Sequence, residues 1–168
     1  TLIILDDGHQ TGGLKKTVSL LVFDFLQKFG NNYVLPAGPL RENLSQGLKR
    51  AHALIGVGEG DFSPSKPLFK AQVVPHSFQC SSRKIFAFCG LGYPQKFYKT
   101  LEKKERELVG TRSFPDHHHY TEKELHHLEY TAQTLGAVLV TTRKDWVKLS
   151  PSWQKKIYCF DIDIVFSN

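Results

Sequence analysis

The sequence predicts an α/β fold built on a mostly parallel sheet, and three observations carry that prediction. Short apolar runs recur at 2–5, 18–25, 52–57, 85–88 and 137–141, the form taken by strands buried on both faces. In the second half these runs alternate with stretches of helical apolar spacing, as in βαβ units. Helix boundaries are written between them: Pro94 where a first helical residue would stand, a capping box at Thr121-Glu122-Lys123-Glu124, and Gly136 at a helix end.

Taken in order, residues 2–5 read as a buried parallel strand that stops at Asp6-Asp7-Gly8. Residues 18–25 read as a second apolar run with Asp24 inside it, and 30–42 is rich in turn residues. A short helix is expected over 44–50 and a third strand over 52–57. The Gly-, Ser- and Pro-containing stretch 58–67 is the best candidate boundary, and 68–78 reads as extended. Residues 85–88 form a strand running into Cys89-Gly90-Leu91-Gly92, and Phe97, Tyr98 and Leu101 give the following helix an apolar face. A strand over 107–113 precedes the capped helix, whose Leu125, Leu128, Ala132 and Leu135 fall at helical spacing. A strand at 137–141, a short helix at 143–149 and a last strand at 157–166 complete the order. No internal repeat or low-complexity segment is present.

With 168 residues, 40% hydrophobic and 23% charged, the chain has an ordinary globular composition, which argues against disorder, collagen or a coiled coil. Its net charge of +6 suits an anionic partner such as a nucleotide, nucleic acid or lipid surface, and equally a coat of solvated lysines. Cys80, Cys89 and Cys159 make no CxxC pair and no disulfide framework, which favours a reducing compartment. No run of about 18 apolar residues could span a bilayer. The opening is no secretory leader, and a chain that starts on Thr in mid-strand without any Met reads as part of something longer. No phosphate-cradling GxxxxGK[ST] loop, no GxSxG elbow and no third glycine after Gly90-Leu91-Gly92 is present. No helix-turn-helix or RNA-binding aromatic signature appears, so nucleic acid is not an expected partner.

Three constellations could carry chemistry. Asp6 and Asp7 end the first apolar run, where carboxylates at a strand's carboxyl end could hold Mg²⁺, a hard cation that takes oxygen ligands. The plain alternative is a turn with an aspartate cap. The segment Leu35-Pro36-Ala37-Gly38-Pro39-Leu40-Arg41-Glu42 is a stiff loop that would project Arg41 from a nearly fixed backbone. A positioned arginine suits phosphoryl transfer, though a structural turn with Arg41 paired to an acidic neighbour would leave the same sequence. Phe114-Pro115-Asp116-His117-His118-His119-Tyr120 lies between a strand and the capped helix. Consecutive side chains do not face one way, so three neighbouring histidines seldom bind one ion. One or two could work beside a carboxylate, or the stretch could be a solvated loop. His126 and His127 on the next helix read as surface residues.

In this order the segments resemble the tetraacyldisaccharide 4'-kinase family of lipid A synthesis. The resemblance is carried by Ile4-Leu5-Asp6-Asp7-Gly8-His9-Gln10, by Gly30-Asn31 leading to Leu35-Pro36-Ala37-Gly38-Pro39-Leu40-Arg41-Glu42, and by Ala87-Phe88-Cys89-Gly90-Leu91-Gly92-Tyr93-Pro94. Phe114 through Thr121 and Leu139-Val140-Thr141-Thr142-Arg143-Lys144-Asp145 extend it over nearly the whole chain. The resemblance implies an ATP-dependent kinase acting on the 4'-hydroxyl of a tetraacyl glucosamine disaccharide 1-phosphate, with ATP and Mg²⁺ as cofactors. The implied fold is an incomplete P-loop kinase-like parallel sheet plus a smaller C-terminal α/β domain, joined by a two-stranded linker. The expected divisions are 1–60 for the kinase core, 61–80 for the linker, 81–156 for the smaller domain and 157–168 for the returning strand.

By the same resemblance Asp6 and Asp7 handle the metal and Gln10 stands beside them. Arg41 meets nucleotide phosphate, and His117 or His118 supports the catalytic aspartate, so that Asp7, Arg41, His117 and His118 form the expected catalytic set. The family's phosphate loop, catalytic base and membrane-associated helix lie ahead of the segment matched here, so residues 1–168 alone are expected not to turn over. The implied partners are the lipid A disaccharide precursor and the membrane surface, at the cytoplasmic face of the bacterial inner membrane. Two rivals are a metal-dependent phosphoesterase using an Asp-His-His signature and a non-catalytic remnant domain.

Overall fold

The computed structural model describes residues 1–76, 80, 82–102 and 106–167. The chain divides into two compact units, Thr1–Val74 together with the chain from Ile164 onward, and Pro75–Asp163. Both are α/β with parallel strands.

In the first unit, strands β1 (Leu20–Asp24), β2 (Ala53–Val57), β3 (Leu68–Pro75) and β8 (Ile162–Phe166) lie in the order β1-β2-β3-β8. β1 pairs with β2, and β2 with β3, in parallel. Alternation along the strands puts Phe23 and Leu54 on one face, where Phe25, Phe29, Leu48, Phe62 and Leu68 close a small core of edge-packed rings. The alternating partners Leu20, Val22 and Phe69 remain about half exposed or more. Helix α1 (Leu44–Arg50) starts where Asn43 accepts from the Ser45 N–H, one of the backbone donors a helix start leaves over.

The expected strand at 2–5 does not form. Leu2, Ile3 and Ile4 are at least 80% exposed and lie outside the sheet. An apolar run becomes a buried strand only when a neighbour takes its backbone hydrogen bonds and a layer covers it. Among the described residues nothing does either. The extended stretch 68–78 is observed as β3 up to Pro75, and its residues 77 and 78 lie outside the described residues.

The second unit holds the parallel sheet β5-β4-β6-β7, from β4 (Lys84–Cys89), β5 (Glu107–Ser113), β6 (Val138–Thr142) and β7 (Tyr158–Phe160). β4 is buried from Ile85 to Cys89, as a central parallel strand should be. Ile85, Ala87 and Cys89 meet Phe97 and Leu101 of α2 (Pro94–Glu102) on one face. Phe86 and Phe88 meet Leu125, Leu128 and Ala132 of α3 (Glu122–Thr134) on the other, with Trp153 and Ile157. Leu135, expected on the apolar stripe, is the C-cap and 40% exposed, while Gly136 turns the chain at φ +62°.

Two expectations at the C-terminal end are corrected. The helix at 143–149 is shorter, α4 (Arg143–Trp146), and a further helix, α5 (Pro151–Gln154), opens on a proline at its first turn. The run 157–166 is two strands in two sheets, β7 and β8, broken at Asp161, whose carboxylate accepts from the Ile162 N–H. Among the described residues no helix is long and apolar enough to cross a membrane.

Candidate functional site

In the first unit the chain leaves Asp7 in the left-handed region, φ +50°, and enters a single 3₁₀ turn at Gly8–Gln10. Aspartate tolerates this conformation better than most residues. The turn brings Gln10 to a cleft of about 710 Å³ lined by His9, Lys16, Ser19, Arg41, Arg50 and His52 among others. Its side chains carry more positive than negative charge.

The loop carrying Arg41 is closed on itself by backbone bonds. Leu35 donates to the Leu40 carbonyl at 2.9 Å, Leu40 to the Tyr33 carbonyl at 3.2 Å, and Asn31 Nδ2 to the Ala37 carbonyl at 2.9 Å. The Leu35–Pro36 bond is cis. A side chain at Gly38 would run into Asn31 Oδ1 and the Tyr33 carbonyl, so glycine is required for this closure.

From this platform Arg41 Nη1 donates to Asp7 Oδ2 at 3.0 Å. The neighbouring Glu42 accepts from Arg50 Nη2 with both oxygens, at 2.5 and 2.6 Å, and from Gln10 Nε2 at 3.1 Å. Arg50 first, and Gln10 with it, hold the Glu42 carboxyl below its ordinary value against the opposing cost of burial. Asp6 and Asp7 are exposed at the same turn. Adjacent carboxylates open to solvent fit Mg²⁺ in donor chemistry, and the cationic cleft fits a polyphosphate.

Below Gln10 a hydrogen-bonded chain locks the turn to α1. His9 Nε2 lies 3.1 Å from the Gly47 carbonyl, which only accepts, so that nitrogen carries the proton. Nδ1 then accepts from the Ser19 hydroxyl at 2.8 Å. The Ser19 N–H donates to His52 Nδ1 at 3.0 Å.

In the second unit the three histidines diverge. His117 is exposed and left-handed at φ +60°, with Nε2 3.8 Å from Asp116 Oδ2. A left-handed β-carbon costs about 1 kcal/mol, and such strain gathers in functional loops. His118 turns inward and stacks on Phe114 at 4.8 Å, with Nε2 3.2 Å from each oxygen of Glu124. His119 is exposed. Among the described residues no three His, Cys, Asp or Glu side chains are grouped to hold a metal ion, so the phosphoesterase reading gains no ligand set.

The Thr141 to Asp145 motif builds the floor of this loop. Thr141 Oγ1 donates to the Phe88 carbonyl at 2.8 Å, tying β6 to β4. Thr142 caps α4, and Lys144 reaches Asp116 at 3.1 Å. Asp145 is fully buried and accepts from the Gly90 N–H at 3.0 Å, Thr142 Oγ1 at 2.9 Å and Lys148 Nζ at 3.0 Å. A side chain at Gly90 would press on the Pro115 carbonyl at 3.0 Å and His118 Cβ at 3.2 Å, so glycine lets the histidine loop settle on the end of β4.

Thus the structure joins Arg41 to Asp7, and Gln10 to Glu42, in the first unit, and sets His117 and His118 side by side with different surroundings in the second. Glu42, Arg50, Glu124 and Asp145 are the linking residues the motifs alone did not single out. Glu42 reaches Gln10 across 32 residues, Asp145 reaches Gly90 across 55, and Glu124 already reads as occupied in a cap, and a sequence carries no mark of such second partners.

A model of the family described as tetraacyldisaccharide-1-P 4'-kinase, LpxK, matches residues 1–168. The tetraacyldisaccharide 4'-kinase of Hyphomonas neptunium is 38% identical over 99% of this chain and 52% of its own length. That of Parvibaculum lavamentivorans is 43% identical over 89% of this chain and 46% of its own. A solved structure of "apo" form LpxK from Aquifex aeolicus in complex with ATP is similar at a TM-score of 0.67 and 26% identity, covering 96% of this chain and 52% of that one. The chain spans about half the length of the curated relatives it matches. A match running from the first residue to the last, across both units and every motif above, places this chain in the tetraacyldisaccharide 4'-kinase family.

Proposed function

We propose that this chain forms part of an ATP-dependent kinase that phosphorylates the 4'-hydroxyl of a tetraacyl glucosamine disaccharide 1-phosphate. The observation that carries the reading is the junction of Asp7, Arg41, Glu42 and Gln10 at the mouth of a cationic cleft, in a chain that matches this family end to end. The Aquifex relative was solved with ATP, which supports a nucleotide as the cleft's ligand.

Phosphoryl transfer asks the protein mainly for positioning and charge neutralisation. Arg41 offers its planar fork to phosphate oxygens from a self-closed loop. Glu42 holds Gln10 at the cleft. Asp6 and Asp7 are the carboxylates that would hold Mg²⁺, and the ion would supply neutralisation of phosphate charge there. His117 or His118 would support the carboxylate that takes the hydroxyl proton. The resemblance puts that carboxylate and the phosphate loop in the half of the family fold this chain does not span. Strands β3 and β8, within which the unit boundaries fall, are the proposed two-stranded linker. The proposed setting is the cytoplasmic face of the inner membrane. A net charge of +6 favours an anionic surface, where each nearby Lys or Arg contributes about 1 kcal/mol.

The test joins this chain to the first half of the Hyphomonas relative and supplies ATP, Mg²⁺ and the disaccharide 1-phosphate. Mass spectrometry should find the 4'-phosphorylated product, and Arg41→Ala should abolish it. A folded fusion that binds ATP but yields no product would overturn the reading.

A further inference from the structure

The turn that carries Asp6, Asp7 and Gln10 has little of its own to hold it. It is a single 3₁₀ turn over Gly8–Gln10, closed by a backbone bond from the Thr11 N–H to the Gly8 carbonyl at 3.2 Å. Hydrogen-bond geometry in such a turn is poorer than in an α-helix. Asp7 stands at its start without a side-chain capping bond. Residues 1–5 ahead of it and 11–18 behind it form no helix or strand, and all but Lys16 are exposed.

The bonds that reach the turn from elsewhere differ in their surroundings. Arg41 to Asp7 and Gln10 to Glu42 lie in the open, where water competes for both partners. The two bonds of His9 are part-buried: Nδ1 lies 2.8 Å from Ser19 Oγ, and Nε2 lies 3.1 Å from the Gly47 carbonyl. Ser19 and Gly47 are themselves buried, so neither has ready access to water in place of His9.

Both anchors are fixed in their turn. Ser19, directly ahead of β1, exchanges two bonds with His52, directly ahead of β2. Its N–H donates to His52 Nδ1 at 3.0 Å, and its carbonyl accepts from the His52 N–H at 2.8 Å. Gly47 lies inside α1, where its carbonyl also accepts from the Ala51 N–H at 3.3 Å. One imidazole therefore fastens the turn to a strand pair through one nitrogen and to a helix through the other.

We propose that His9 is a positioning residue whose two ring nitrogens, one on Ser19 and one on Gly47, hold the turn so that Asp6 and Asp7 present their carboxylates to a divalent cation. The part concerning the cation rests on the kinase reading; the part concerning the turn does not.

The turn is tested on the 168-residue chain. Long-range ¹⁵N–¹H NMR near neutral pH should find a proton on His9 Nε2, where the Gly47 carbonyl requires one. His9→Phe keeps an aromatic ring and removes both bonds. Amide exchange at Thr11 should quicken about 10-fold or more, while the amides of β1 and β2 keep their rates. His9→Gln, whose amide can still donate, should recover part of the difference. A His9 ring without a proton on Nε2, or Thr11 exchange unmoved by His9→Phe, overturns the anchoring. A general loss of protection through β1 and β2 overturns it too, since His9 would then support the whole unit.

The cation is tested with MgCl₂, followed at the Asp7 and Gly8 amide signals of the same chain. His9→Phe should raise the midpoint about fivefold. In the fusion enzyme it should raise the Mg²⁺ requirement in the same direction, with the full rate kept at saturating Mg²⁺. No Mg²⁺ response in the parent chain, or one midpoint for both chains, overturns the part concerning the cation. A fusion without activity removes the kinase reading, while the exchange result still decides what His9 does to the turn.

Discussion

The Asp7 carboxylate accepts from the Arg41 guanidinium at 3.0 Å, joining two motifs 34 residues apart. Both side chains are mostly exposed, 66% for Arg41 and 76% for Asp7. An exposed pair of this kind contributes about 0–1 kcal/mol to stability. It holds the two groups at one place without binding them there, so either can turn to a phosphate or a cation.

Arg41→Lys keeps the charge and removes the fork. The fusion enzyme should lose less than about 1 kcal/mol of stability by denaturant melt. Its affinity for ATP should fall about 10-fold by calorimetry, since a compact ammonium cannot replace two parallel hydrogen bonds. A large stability loss with unchanged ATP affinity would make Arg41 a structural residue.

Glu42 should behave differently. It is the acceptor for both Arg50 and Gln10, and its side chain is only 23% exposed. Glu42→Ala leaves a guanidinium and an amide without their acceptor, and because both donors can turn to water it should cost about 1 kcal/mol. ATP affinity should fall as well, although Arg41 is untouched, because Gln10 loses its anchor. Adding Arg50→Ala to Glu42→Ala should cost less than the sum of the two single losses, as partners in one network do.

The sequence shows unevenly how much of this it specifies. The capping box at Thr121 and the buried strand at 85–88 were legible because cap and burial are local patterns, and both are observed. Residues 2–5 carry the same local signature as 85–88 yet form no strand, because what makes a strand of an apolar run is a neighbour, and neighbours are not local. The run 157–166 reads as one strand because Asp161 looks like one more alternating polar residue, whereas β7 and β8 on either side of it belong to different sheets. At the site, Arg41 and Asp7 were legible as chemistry and their pairing only as an open alternative. Glu124 was legible as a cap, and its bond to His118 was not, since one carboxylate with two sets of donors reads like one with a single set.

Acid should loosen the start of α3 before it opens the core. The folded Glu124 carboxyl lies near 2 against an ordinary value of 4.5, so the folded state keeps its charge where the unfolded chain takes up a proton. The stabilisation is fully present above about pH 4.5 and is lost as pH falls toward 2. Amide exchange at α3 should quicken across that window. In Thr121→Ala, which removes one of the donors holding the carboxyl down, the loss should be smaller and should be complete at a higher pH. A window unmoved by that substitution would assign the acid effect to another carboxylate.

Asp145 is the substitution with the largest expected effect. Its carboxylate is fully buried and answers three donors, the Gly90 N–H at the distant end of β4 and, at either end of its own short helix, the Thr142 hydroxyl and the Lys148 ammonium. Removing one partner of a buried charged pair leaves the other charge without compensation, which costs about 3–5 kcal/mol. Lys148 is 20% exposed and can swing part-way to water, which places Asp145→Ala toward the lower end. Asp145→Asn keeps the volume and an acceptor for Gly90 but loses the charge that Lys148 faces, and should fall between Asp145→Ala and the parent chain. A melt of each variant orders the three. Because Lys148 also reaches the His118 carbonyl, the His118 ring signals should shift in Asp145→Asn while those of His126, on the exposed side of α3, stay in place. Equal shifts at both histidines would mean that the unit had loosened as a whole, and Asp145 would then support the core and not the histidine loop in particular.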